Sequence, residues 1–217
     1  MRPIDKSLYT LNQAIYNPYG EAKPDLIKAI GKYCSYCEVW SPALDVEHIQ
    51  NKDNNESKEF EWSNFLLGCK HCNPIKGTKE VNYTQIYMPH RDNTYVIFSY
   101  LVGGVIIVNK NLSKDEKKKA TNLIELVGLD RDPSHPKHSY KDERWSDRME
   151  IDSLAKQCLK KYTNNDSSIE ELVTYAALRG FWSIWMNTFK MYPEVQNRLI
   201  EKFNGTKVDY FDSMEVN

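Results

Sequence analysis

The chain has 217 residues, 41% of them hydrophobic and 12% aromatic, enough to bury a sizeable core in one large domain or two small ones. Its 29 basic and 30 acidic residues leave a formal net charge of −1 with neither half strongly basic, which argues against strong unaided binding to nucleic acid. No apolar run reaches the ~20 residues that span a bilayer, and Met1-Arg2-Pro3-Ile4-Asp5-Lys6 lacks the apolar stretch of a signal peptide, so a cytoplasmic location without membrane contact is expected.

In chain order, residues 8–22 read as an aromatic loop with a turn at Asn17-Pro18-Tyr19-Gly20. Pro24 to Ile30 predicts a short helix that puts Leu26, Ile27 and Ile30 on one face and stops at Gly31. Residues 43–48 predict a short strand, and residues 50–61 a polar loop. Further on, the apolar runs 95–100 and 105–108 flank Gly103-Gly104, the pattern of a β-hairpin. Ser113-Lys114-Asp115-Glu116 is a capping box, and the helix after it carries Ala120, Leu123, Ile124 and Val127 on one stripe before Gly128. A Pro- and Asp-rich loop covers 130–142, and 143–162, 168–190 and 193–204 read as helices. Trp182, Trp185 and Phe189 recur at helical spacing, with Phe181 adjacent, as expected of a buried face.

Four of the five cysteines form two C-x-x-C pairs, Cys34/Cys37 and Cys69/Cys72. In a reducing compartment this spacing is read as metal ligation ahead of disulfides. Four thiolates close a tetrahedral shell around Zn²⁺ with no open position, which marks a structural site. His71, between the second pair, fits a bystander or phosphate-contact role better than a ligand role. Cys158 fits simple packing in a helix.

Between and just after the pairs lie Asp45-Val46-Glu47-His48-Ile49, then Asn64, then Asn73 and Lys76. An acidic residue followed by His, a middle Asn and a closing C-x-x-C-Asn-x-x-Lys resembles the HNH nuclease family, over residues 34 to 76. The resemblance implies an α+β chain with a ββα-metal core and a structural zinc, followed by a β-hairpin and a mainly helical C-terminal region. On that basis the expected division is a nuclease domain over 1–92 and a partner-docking and substrate-guiding region over 93–217.

The family chemistry implies hydrolysis of a phosphodiester by a water that a neutral imidazole activates. A hard divalent cation, Mg²⁺ or Mn²⁺, stabilises the leaving oxygen. By resemblance His48 is the general base, Asn64 braces the loop behind it, and Glu47 and Asn73 hold the catalytic ion. Lys76 contacts phosphate or is an ordinary solvated lysine. Successive strand side chains point to opposite faces, so Glu47 and His48 share a site only where the strand ends. Asp45 shares the face of Glu47 and is the alternative ligand. Glu stands where the family more often has Asp, and Asn51 where it often has Pro.

The Cys34-Ser-Tyr-Cys-Glu38 phrase, the Val46–Ile49 segment, the hairpin and the helix before Gly128 narrow the resemblance. They are similar to the HNH subunit of the Septu anti-phage system and its retron-associated relatives. That implies a DNA or RNA substrate (tRNA included), a neighbouring ABC/SMC-like ATPase as partner, and membership of a retron complex in some relatives. The alternative is a zinc module that binds nucleic acid or protein without cutting, which needs the four cysteines but not His48.

Overall fold

The computed structural model describes residues 1–11 and 13–211. It is a mixed architecture of helices and two small antiparallel sheets, compatible with the expected α+β class. Helix α1, Lys23–Ile30, has Pro24 in its first turn and ends at Gly31, whose φ of 77° is outside the helical range. Strand β1, Asp45–His48, pairs with β2, Phe65–Gly68, from Asp45↔Gly68 to His48↔Phe65. A turn after β2 leads directly into α2, Cys72–Lys76, which Gly77 stops after little more than one turn.

The Gly103-Gly104 signal gives the predicted hairpin, β3 (Phe98–Leu101) with β4 (Val105–Val108). The capping box forms with both of its bonds in place, and it opens α3, Lys114–Val127, which the left-handed Gly128 closes. Helix α4 spans Arg144–Thr163, α5 Ile169–Arg179, α6 Trp182–Thr188 and α7 Pro193–Lys202. No described helix is long and apolar enough to cross a membrane.

The single helix expected over 168–190 is two helices. Gly180 at φ 77° and Phe181 at φ 56° break it, so that Phe181 N–H donates to the Glu38 carbonyl at 2.9 Å and Gly180 bridges to Val39. Propensity lost to a tertiary requirement: at Gly180 any Cβ would stand 2.5 Å from the Glu38 carbonyl oxygen and 2.7 Å from the Trp40 nitrogen. The aromatic stripe beyond the break is buried, as expected, with Trp182, Trp185 and Phe189 all at 0% exposure.

Two hydrophobic clusters organise the chain. The first gathers α1, β1, β2, the cysteine turns, the hairpin and α3, and runs in sequence to Leu129. The second is built from α4–α7 and includes Cys158, which packs there as expected. The expected division at 92/93 therefore falls inside the first cluster, because Ile97, Phe98 and Ile106 of the hairpin and Leu123 and Val127 of α3 pack with it.

Glu38 joins the clusters. Its carboxylate, 7% exposed as a side chain, accepts from Ser183 N–H at 3.1 Å and Ser183 hydroxyl at 2.6 Å. It also accepts from the Arg2 N–H.

Gly180→Ala should therefore cost about 2–4 kcal/mol of unfolding free energy, through positive-φ strain plus overpacking against backbone atoms. At Gly103, with a similar φ of 82° but nothing within 4 Å of a built Cβ, alanine should cost only the strain, roughly 1 kcal/mol. Urea denaturation of the two variants checks the contrast. Equal losses would mean that the close approach at Gly180 contributes nothing.

Candidate metal centre and active site

The two C-x-x-C turns bring four sulfurs together. One ligand atom from each of Cys34, Cys37, Cys69 and Cys72 lies within 4.8 Å of every other, and all four residues are buried. The turns are shaped for acceptance: Cys69 N–H donates to Cys34 Sγ at 3.4 Å and Cys72 N–H to Cys69 Sγ at 3.3 Å. Ser35 docks the first turn on β2, its N–H donating to the Leu67 carbonyl at 2.8 Å.

Burial pushes the Cys37 and Cys72 thiols well up, whereas hydrogen bonds from the other three thiols hold Cys69 well below the usual range. A divalent cation releases the remaining protons, and the donor chemistry suits Zn²⁺ in a closed structural site. His71 is not part of the group: its Nδ1 is 4.0 Å from the Asp142 carboxylate.

Glu47 and His48 leave β1 on opposite faces. The Glu47 side chain turns inward. Tyr36, the residue inside the first C-x-x-C, donates its hydroxyl to Glu47 Oε2 at 2.6 Å. Lys76 Nζ is 2.6 Å from Glu47 Oε1, and both side chains are 1% exposed. The same ammonium donates to the His48 carbonyl at 2.6 Å, tying α2 back to the end of β1. Lys76 was expected either to contact phosphate or to be a solvated lysine; in this arrangement it is buried and its charge faces Glu47.

Asn73 lies beside this pair. A Cβ on Gly68 would be 3.0 Å from Asn73 Cβ and 3.1 Å from Glu47 Cβ, so glycine lets the two residues meet over β2. The start of α2 offers no anion site, since Asn73 N–H donates to the Cys69 carbonyl and Cys72 N–H to Cys69 Sγ. Asp45 pairs with Lys70 at the surface, at 2.6 Å, away from Glu47's partners.

His48 occupies the half-buried face. Its ring sits edge-on to Tyr19 and Phe65, with centroids 4.7 and 5.2 Å away. Its Nε2 lies 2.9 Å from the Glu59 carbonyl oxygen. A carbonyl only accepts, so Nε2 carries hydrogen and, in neutral imidazole, Nδ1 carries the lone pair.

Asn64 fixes the segment that supplies this carbonyl. Its amide donates to the Gln50 carbonyl at 3.0 Å and the Lys58 carbonyl at 3.1 Å, and its Oδ1 accepts from Gln50 N–H at 2.7 Å. The polar loop is therefore clamped at both ends, next to the histidine.

Sequence reasoning missed Tyr36, Tyr19 and the Glu59 main chain. Tyr36 had a signal, being a large residue inside a C-x-x-C. A carbonyl has none. A cleft of about 640 Å³ lies elsewhere, lined by Lys79, Asn122, Arg131 and His135 among others. Lys79 there neutralises the final carbonyls of α2 and α3, which accounts for its charge.

Lys76→Met should cost ~3–5 kcal/mol, because it strands a buried carboxylate. The double variant Lys76→Met/Glu47→Gln should recover most of the loss, since the amide still accepts from Tyr36. Denaturant midpoints of the three proteins test this. A single variant as stable as the parent would show that the pair is not closed in solution.

No protein-family profile matches the chain. It is similar to the Septu protein PtuB of Bacillus thuringiensis, at 32% identity over 114 residues, covering 49% of this chain and 41% of that protein. The similar segment spans less than half the length of that relative.

Proposed function

We propose that the chain is an HNH endonuclease hydrolysing nucleic-acid phosphodiester bonds, with β1, β2 and α2 as its ββα-metal core and Zn²⁺ on the four cysteines. The observation that carries this reading is the state of His48. A half-buried imidazole with Nε2 bonded to a main-chain carbonyl presents Nδ1 as a base of fixed orientation. In the reaction, Nδ1 takes a proton from a water as its oxygen attacks phosphorus, and the bond from phosphorus to the leaving sugar oxygen breaks. Asn64 acts through Glu59, holding the carbonyl that sets the tautomer.

A divalent ion at Glu47 and Asn73 does not fit while Lys76 and Tyr36 engage both carboxylate oxygens. Binding of Mg²⁺ or Mn²⁺ there requires Lys76 to leave. The similarity to PtuB, together with the earlier family resemblance, supports a wider reading as the effector of an anti-phage complex with an ABC/SMC-like ATPase, retron-associated in some relatives. The near-neutral charge fits a subunit whose partner supplies the grip on nucleic acid.

One observation favours a second reading. The sealed Glu47–Lys76 pair is what a zinc module that binds nucleic acid or protein without cutting would retain for its fold alone. The two readings separate on His48→Ala, compared with the parent on plasmid DNA and on total tRNA, in Mg²⁺ or Mn²⁺, with and without the neighbouring ATPase. DNA is the first expectation, with tRNA as the other arm. The nuclease reading expects cutting to fall at least ~10²-fold, with zinc content unchanged and stability shifted by about 1 kcal/mol or less. A variant that cuts like the parent removes His48 from the chemistry. A parent that cuts nothing, even with its partner, leaves the binding module as the better account.

A further inference from the structure

Arg144 begins α4, far in sequence from the cysteines, yet it is 3% exposed and points at them. All five of its N–H groups have acceptors. Nε and Nη2 hold the Asp142 carboxylate in a fork at 2.8 and 2.7 Å. Nη2 also donates to the Gly128 carbonyl at 2.8 Å, and Nη1 to the Val127 carbonyl at 2.9 Å. The remaining N–H of Nη1 reaches Cys72 Sγ at 3.1 Å. Among the described residues this is the one charged side chain that hydrogen-bonds a cysteine sulfur of the cluster.

Four thiolates around Zn²⁺ leave two net negative charges in a buried site. A guanidinium bonded to one sulfur stabilises that charge and fixes the direction of the sulfur lone pairs. Its other four bonds immobilise it on the end of α3 and the start of α4, so it is held in place before any metal arrives. We propose that Arg144 is a positioning residue of the zinc site, which retains the metal by holding Cys72 and couples the presence of zinc to the α3–α4 junction. The inference rests on zinc occupying the four cysteines.

The helix supplies its own control. Arg148 lies one turn on and is 2% exposed, but it donates to the Gly104 carbonyl at 2.8 Å and the Leu129 carbonyl at 3.1 Å and to no sulfur. Arg148→Met should therefore destabilise the fold and remove a positive charge that stands near Cys37 and Cys72, without breaking any bond to sulfur.

The experiment starts from the metal content of the purified parent, expected at one zinc per chain; a parent that binds no zinc overturns the zinc reading itself. Zinc transfer from the loaded protein to a chromophoric chelator is then timed for the parent, Arg144→Met, Arg144→Lys and Arg148→Met. Arg144→Met should release zinc at least ~10-fold faster, as loss of an outer-shell partner does. Arg144→Lys keeps the charge but cannot hold Asp142 and Cys72 together, so it should fall between. Arg148→Met, which loses a nearby charge but no bond to sulfur, should accelerate release less than Arg144→Met. Arg144 variants that release zinc no faster than the parent, or an equal acceleration in Arg148→Met, overturn the assignment while leaving the zinc site intact.

A second readout needs no variant. On chelation of the parent, amide hydrogen exchange should rise across residues 127–148 as well as in the two cysteine turns. A rise confined to the turns overturns the coupling.

Discussion

Four sulfurs held within 4.8 Å of each other in a buried space are the constraint on which the other parts of this molecule rest. They fasten the turn before β1 to the turn after β2, so the short antiparallel pair cannot fray at that end. α2 begins on the last of these cysteines. With only four residues per strand and five in the helix, neither element has the length to be stable alone. The second cluster is attached to the same place, through Glu38 after the first cysteine pair and Arg144 at the second. The cysteine cluster, the candidate site and the helical region therefore share one anchor.

The chain closes several of its interior charges locally. Glu47 meets Lys76 and a tyrosine hydroxyl, Arg144 meets Asp142 and carbonyls, and Glu38 collects backbone and hydroxyl donors. Buried ion pairs of this sort add little net stability over apolar residues of similar size, but their directional bonds select one arrangement. That selection divides β1 into two unlike faces. One is sealed by the Glu47 pair; the other leaves an oriented imidazole half open. The candidate chemistry sits on the second face, and its support comes from a loop.

Much of this was readable in the sequence because it is encoded locally. Gly31, the Gly103-Gly104 turn, the Ser113–Glu116 capping box and Gly128 each act within a few residues, and the elements they bound form accordingly. The cysteine spacing likewise names its own partners. What was not readable depends on distant backbone. The break at Gly180 exists because residues 38–40 pass against it, and no periodicity in 168–190 carries that information. The packing of the hairpin in the first cluster was not readable for a similar reason, since apolar alternation marks a hairpin but does not say which core receives it. Glu47 lies against Lys76 and beside Asn73. That Lys76 would turn inward onto Glu47 rather than outward depends on the cover Tyr36 provides.

The group that orients His48 is a carbonyl, and a carbonyl is the same in every residue. Sequence drift at position 59 thus leaves the histidine's tautomer untouched, whatever side chain appears there. Drift in length does not: one residue gained or lost between Lys58, which Asn64 holds, and Asn64 itself would slide a different carbonyl, or an N–H, under the ring. Among relatives of this chain, the polar loop should then be free in composition and rigid in its count from Lys58 to Asn64.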